Sequence, residues 1–264
     1  LSSVGIASVS IVPLRAEAND RSEQVSQILA GECVSILEEG RGNWVNVKSL
    51  EDGYEGWVDK RQFEFGLEVP EERAILCTTM SKWRNERTMA SLWLPACSLI
   101  EVRKDGFYLA NTEVSRVKCE SDSGSSDSLD SLGEIPISMR EAALALLGAP
   151  YQWGGRTVAG IDCSGLSLLA ARLTGRELPR DASDQITFGE EVKWEDREAD
   201  DLAFFKNSDG DITHVAILVT RDSVVHASGE VRVDRLTNDG IVHAEVGGLT
   251  HQLTALRRLA SMPS

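Results

Sequence analysis

The sequence predicts an α+β domain at its C-terminal end, preceded by two small all-β barrels. Three observations carry this. Short apolar runs separated by Gly- and Asn-bearing turns fill residues 4–119. A Ser- and Asp-rich stretch follows at 120–134. Beyond it come two helix signatures and then a series of strand-like runs. Short strands at close spacing suit small barrels, and helices followed by antiparallel strands make an α+β domain. The implied boundaries are 1–66 and 67–119 for the barrels, 120–137 for a linker and 138–264 for the α+β domain.

The first barrel opens on Val4 to Val12, which alternates with period two, and continues with Cys33 to Leu37, Trp44 to Val47 and Gly56 to Val58. The second shows weaker signals at Leu99 to Val102, Gly106 to Leu109 and Val114 to Val117, and reads as a degenerate copy of the first. Residues 120–134 are too polar to bury a core and read as a linker. Ser138-Met139-Arg140-Glu141 then has capping-box spacing, predicting a helix through Leu147 that stops at Gly148 and Pro150. A second helix is predicted from Cys163 to Leu173, ending at Gly175. Strands are predicted at Asp201 to Phe205, His214 to Val219, Ser223 to His226, Val231 to Val233 and Ile241 to Ala244, with Gln252 to Leu259 closing the sheet.

Composition narrows the function classes. The chain of 264 residues carries 27 Lys and Arg against 42 Asp and Glu, a formal charge of −15 spread over both halves. That acidity argues against nucleic acid as a partner and against steady docking on an anionic surface. No run of about 18 apolar residues exists to span a membrane. Cys33, Cys77, Cys97, Cys119 and Cys163 form neither an even disulfide framework nor a CxxC metal pair, so no metal or cofactor is expected. Five thiols point to a reducing compartment, the cytoplasm ahead of the periplasm. Leu1 in place of Met leaves a removed signal peptide open, and a monomer is expected.

The chemistry concentrates in the last domain. All four histidines (His214, His226, His243 and His251) lie there, and Cys163 is its only cysteine. A nucleophilic thiol needs a base and a site that favours the thiolate. Asp162 is a good N-cap type, which puts Cys163 at a helix start, where free N–H groups favour negative charge. Lowering its pKa by one unit takes about 1.4 kcal/mol, so the sulfur is expected to rest as a thiolate. His214 opens a strand and is the candidate base. His226 on the return strand is the candidate for the third group that orients it. His243 and His251 read as surface or packing histidines, and the acidic run Glu195 to Asp201 as a solvated loop.

The order Asp162-Cys163-Ser164-Gly165-Leu166, then His-Val-Ala-Ile from His214, then Val-His-Ala-Ser around His226 resembles the NlpC/P60 family of papain-like cysteine peptidases. Tyr151-Gln152-Trp153-Gly154-Gly155, Leu178-Pro179-Arg180-Asp181-Ala182-Ser183 and Asp201-Leu202-Ala203-Phe204-Phe205 also match its pattern. The resemblance covers about residues 138–259. It implies a papain-like α+β fold with Cys163 as nucleophile, His214 as base and His226 as orienting residue, and it sets Tyr151, Asp162, Ser164 and Ser183 along the substrate cleft. Asp200 stands where the family commonly has Gly, a departure that touches only a turn.

The N-terminal part is similar to bacterial SH3 domains through Gly31-Glu32-Cys33-Val34, Gly42-Asn43-Trp44-Val45-Asn46-Val47 and Gly53-Tyr54-Glu55-Gly56-Trp57-Val58. Two such units before a catalytic domain resemble the γ-D-glutamyl-L-diamino acid endopeptidases of wall-peptide recycling. Their substrates are murein peptides such as L-Ala-γ-D-Glu-diamino acid, whose free amino group the first SH3 unit captures. An ammonium wants acceptors, so Tyr54 and Glu23 are the candidates, with Glu17 competing. The alternatives are a wall-peptide-binding module on an inert hydrolase scaffold, a hydrolase of intact peptidoglycan, and transamidation on the same thiol. The net charge favours small soluble fragments over a polyanionic wall.

Overall fold

The computed structural model describes residues 4–117, 135–136 and 138–260, which form two compact units divided between Glu134 and Ile135. The expected linker at 120–137 lies outside the described residues except for 135 and 136, as does Cys119.

The first unit is all β. Its first sheet holds β1 (Val4–Ala7), β2 (Ile11–Arg15), β3 (Gln24–Leu29), β4 (Cys33–Glu39), β5 (Trp44–Ser49), β6 (Glu55–Asp59) and β7 (Phe63–Phe65), in the order β3-β2-β6-β5-β4-β1-β7. The single strand expected over 4–12 is thus two. The chain bends at 8–10, where Ser8 ties its backbone N–H and hydroxyl to the Gln62 carbonyl. Alternate residues Val12, Leu14, Ile28, Val45, Val47 and Val58 share one buried core. The second sheet holds β8 (Arg73–Ile75), β9 (Met80–Asn85), β10 (Ser91–Pro95), β11 (Leu99–Arg103), β12 (Gly106–Leu109) and β13 (Thr112–Arg116). Its core centres on Trp83, edge-on to Phe107 with ring centroids 5.7 Å apart. The turn before β4 packs onto β11. Gly31 has φ +75°, and a Cβ there would sit 1.8 Å from the Leu99 carbonyl oxygen, so both the backbone and the close approach require glycine.

The second unit begins with α1 (Met139–Leu144), capped by the Ser138 hydroxyl accepting the Glu141 N–H. A two-strand ribbon of β14 (Arg156–Thr157) and β15 (Gly160–Ile161) leads into α2 (Cys163–Leu173). The short α3 (Ala182–Gln185) and β16 (Glu190–Glu191) follow. The remaining strands are β17 (Leu202–Lys206), β18 (Ile212–Thr220), β19 (Ser223–Ser228), β20 (Glu230–Thr237), β21 (Gly240–Val242) and β22 (Leu249–Arg258). They run β16-β22-β17-β18-β19-β20-β21, and β21 pairs back onto β22, so six strands close into a barrel. The faces divide by parity. Phe205, Ala216, Leu218, Val224, Leu236, Ile241 and Leu256 fill the barrel, while α1 and α2 pack on β18 and β19. His214 shares the parity of Ala216 and Leu218, and His226 that of Val224, so both imidazoles belong to the barrel face. Asp200 adopts φ +73°, the left-handed region that explains a glycine preference there. Its carboxylate accepts the Arg140 N–H at 2.7 Å.

Candidate active site

Cys163 opens α2, and the turn before it is built to hold it there. Asp162 is the N-cap, accepting the Gly165 N–H at 2.7 Å. The Gly154 N–H reaches the other carboxylate oxygen at 2.8 Å, which ties the Trp153-Gly154-Gly155 turn to the helix start. Gly165 must be glycine, since a Cβ there would meet the Gly155 carbonyl oxygen at 2.2 Å. Arg180 grips the same carboxylate with both guanidinium arms, at 2.5 and 3.1 Å, and also donates to the Ser164 hydroxyl at 2.8 Å. This ion pair is almost wholly buried, with side-chain exposures of 1% and 7%. Gln185 of α3, fully buried, accepts from the Ser167 hydroxyl and donates to the Ser164 and Pro179 carbonyls, so α3 is pinned to the first turns of α2.

The proton state of the sulfur departs from the sequence-based expectation. Cys163 is 8% exposed. Burial pushes its thiol up to about 11, helped by the neighbouring Asp162 carboxylate. The Val215 and Ser164 backbone N–H groups and Arg180 pull it down by less. The thiol therefore rests protonated and faces the Thr213 carbonyl oxygen at 4.0 Å. Desolvation by the surrounding fold is the main reason, and Asp162 adds a smaller local one, since it places a negative charge beside the sulfur while its carboxylate takes the helix-start N–H of Gly165. Two of the backbone groups that meet the sulfur, from Thr213 and Val215, flank His214.

The imidazoles follow from strand register. Continuing the Ile217↔Val225 pairing sets His226 opposite Ala216 and diagonal to His214 on the same face. His214 Nε2 lies 2.8 Å from His226 Nδ1, and His226 Nε2 lies 3.0 Å from Asp234 Oδ2 on β20. His214, His226 and Asp234 are all buried. Burial holds the His214 ring well below its ordinary value, and the neighbouring His251 and His226 add to this. Burial lowers His226 too, against an opposing pull from Asp234. The Asp234 carboxyl is pushed up by burial but drawn down further by the Ala244 N–H, His226 and Arg232. It sits below its ordinary value as the carboxylate.

His251, expected among the packing histidines, packs on the candidate base itself. Its ring stacks on His214 with centroids 4.1 Å apart and planes 23° from parallel, above Phe205. Burial brings it down to about 4. His214, His226 and His251 offer nitrogens within 4.8 Å of one another. Stacked rings, however, project their in-plane lone pairs side by side rather than towards one point, which is poor geometry for a shared cation.

The other expected residues divide. Tyr151 is held between the Gly229 carbonyl and Ile161, and its hydroxyl feels the Cys163 sulfur. Burial first, then the sulfur and Asp162, push that phenol up to about 12. Ser164 and Asp162 stand beside the sulfur with their oxygens engaged by Arg180. Ser183 is exposed on α3. Tyr54 and Glu23 belong to the first unit. Tyr54 packs against the core of the first sheet, and Glu23 is exposed just before β3. Asp234, His251 and Arg180 were given no role from sequence. Arg180 sat inside a quoted motif, whereas Asp234 carried only a parity signal, an acidic residue alternating with Arg232 on the strand after His226.

Residues 148–249 match the NlpC/P60 family, and residues 14–63 match the bacterial dipeptidyl-peptidase SH3 domain. A γ-D-glutamyl-L-lysine dipeptidyl-peptidase of Bacillus subtilis (strain 168) is 40% identical over 83 residues, covering 31% of this chain and 28% of that protein. A probable endopeptidase NlpC of Escherichia coli (strain K12) is 34% identical over 96 residues, covering 36% of this chain and 62% of that one. The chain thus spans less than two thirds of the length of either relative. A crystal structure of an NlpC/P60 family protein from Bacillus cereus has the same fold, with a TM-score of 0.76 at 19% identity over 98% of this chain and 100% of that one.

Proposed function

We propose that this chain, which belongs to the NlpC/P60 family of peptidases through residues 148–249, is a cysteine endopeptidase acting on cell-wall peptides. The bond cleaved is the γ-linked amide between D-Glu and a diamino acid. The observation that carries this reading is the Cys163 sulfur at the start of α2, against the backbone on either side of His214, whose ring continues into His226 and Asp234. The substrate class is supported by the B. subtilis relative, named for a γ-D-glutamyl-L-lysine bond.

Both thiol and imidazole rest neutral, so the proton moves during attack rather than before it. His214 takes the thiol proton as the sulfur bonds to the carbonyl carbon, and the imidazolium then gives that proton to the leaving amine. Water, deprotonated by the same ring, next releases the thioester. The Ser164 N–H, which bonds the sulfur, and the Tyr151 phenol, which feels its charge, are the donors that would meet the oxyanion. One such donor is typically worth about 3 kcal/mol. Within this reading, the second barrel expected at 67–119 is a degenerate SH3-like unit, the protein works as a monomer, and Tyr54 and Glu23 recognise the free N-terminal amine of L-Ala.

The test is incubation with L-Ala-γ-D-Glu-L-Lys and mass analysis. L-Ala-D-Glu and Lys are expected from the native protein and neither from Cys163→Ser. A folded native sample that yields no dipeptide overturns the proposal. Comparing the N-acetylated peptide separates the roles: equal rates for both peptides remove Tyr54 and Glu23 from amine recognition.

A further inference from the structure

We propose that Asp234 is a positioning residue that decides which nitrogen of His214 carries a proton, acting through His226. The inference rests on the cysteine-peptidase reading for its consequence in turnover, but its physical content is a statement about two rings.

An ionised carboxylate only accepts hydrogen bonds. Asp234 Oδ1 takes the Ala244 N–H at 2.7 Å and the Arg232 Nη2 at 3.2 Å. Oδ2 faces His226 Nε2 at 3.0 Å, with Arg232 Nε at 3.1 Å as an ion pair that lacks hydrogen-bond alignment. His226 Nε2 must therefore carry hydrogen. A neutral imidazole has one N–H, so His226 Nδ1 is a bare lone pair. His214 Nε2, 2.8 Å away, must then be the donor of that contact. It follows that His214 Nδ1 is the bare nitrogen, the only one able to accept the thiol proton. One anion thus fixes two tautomers in series, along a chain sealed from water. The other groups facing these rings do not compete for the roles. His251 stacks on His214 rather than bonding in its plane, Arg232 supports the charge on Asp234, and Arg232 and His243, 3.3 Å apart, both disfavour a protonated His226 and so keep that ring neutral.

The Asn substitution reverses the logic. In Asp234→Asn the amide oxygen stays on the Ala244 N–H, and the amide nitrogen turns its hydrogens to His226 Nε2. That ring must then accept, so its hydrogen moves to Nδ1. His214 Nε2 becomes the acceptor, and the hydrogen moves to His214 Nδ1, where it blocks proton uptake.

Nitrogen-15 NMR of the imidazoles reads this directly. The native protein is expected to show hydrogen on Nε2 of both His214 and His226, and Asp234→Asn hydrogen on Nδ1 of both. Turnover of the γ-D-Glu peptide should fall roughly 10²- to 10⁴-fold in Asp234→Asn with KM little changed, the size a wrong tautomer brings in comparable sites. A purely structural role would lower the melting temperature without moving the tautomers. Native rings with hydrogen on Nδ1, or an Asn variant with native tautomers and native turnover, overturn the proposal. Should the variant not fold, the native spectrum alone decides. Should the native protein cleave no wall peptide, the function reading fails while the tautomer assignment is still decided by the spectrum.

Discussion

A thiol that rests protonated makes a quantitative prediction about its reactivity. Burial raises Cys163 from 9.0 to about 11, a penalty of roughly 2.7 kcal/mol on the thiolate. At pH 7.5 about one sulfur in 3,000 is ionised, against about 3% for the unperturbed thiol, a deficit of roughly 100-fold. Nucleophilicity per thiolate rises with pKa, with a slope near 0.45, which returns roughly eightfold. The net expectation is reaction with a small disulfide reagent about tenfold slower than a free cysteine at pH 7.5, with a rate that climbs through pH 9.5 without a plateau. Peptide mapping after timed quenching separates Cys163 from Cys33, Cys77, Cys97 and Cys119. A plateau below pH 8.5, or a rate at pH 7.5 above that of free cysteine, refutes the argument. Such a result would mean that the helix start and the imidazole outweigh desolvation, and that a preformed ion pair attacks the substrate.

Two further outcomes follow from the buried charges and rings. Arg180→Met leaves the Asp162 carboxylate buried without its cation and should cost about 3–5 kcal/mol in denaturant unfolding; Arg180→Met with Asp162→Asn should recover part of this, and a double variant no better than the single would show that the pair is not coupled. Acid should destabilise the second unit with a definite sign. His251 titrates at about 4 in the folded state against 6.5 unfolded, so its contribution is complete above pH 6.5 and is lost as pH falls from 6.5 to 4, when the unfolded chain takes up protons that the folded one refuses. For this half-buried ring the loss is about 1–2 kcal/mol after allowing for solvent screening. His214 and His226 shift in the same direction. His251→Phe keeps the stack and removes the titration, so unfolding at pH 4.5 and 7 should differ less than in the native protein; an unchanged difference would exclude His251 as a contributor.

Much of the site was legible because it is local. The Asp162 cap bonds a residue three positions on, and the Ser138 cap likewise, so residue type and spacing announce both helices. The strand Gly106–Leu109 and the helix Cys163–Leu173 match their sequence signals at both ends. β3, β8, β9 and β10 were not legible. Gln24-Val25-Ser26-Gln27 and Ser81-Lys82-Trp83-Arg84 carry too few apolar residues to stand out, and they are strands because neighbours supply the hydrogen bonds and the buried face.

The helix start at the sulfur, the histidines that share its domain and the strand parity they hold were all readable from the residues, because each depends on neighbours a few positions away. The remaining features came from contacts between segments far apart in the chain. Strand pairing between β18, β19 and β20 joined His214 to His226 and Asp234, and barrel closure through β21 and β22 laid His251 on His214. Packing against β18 took the Cys163 sulfur out of water and returned its proton. Desolvation and contact across distant strands depend on what the whole chain surrounds, and no local pattern carries that information.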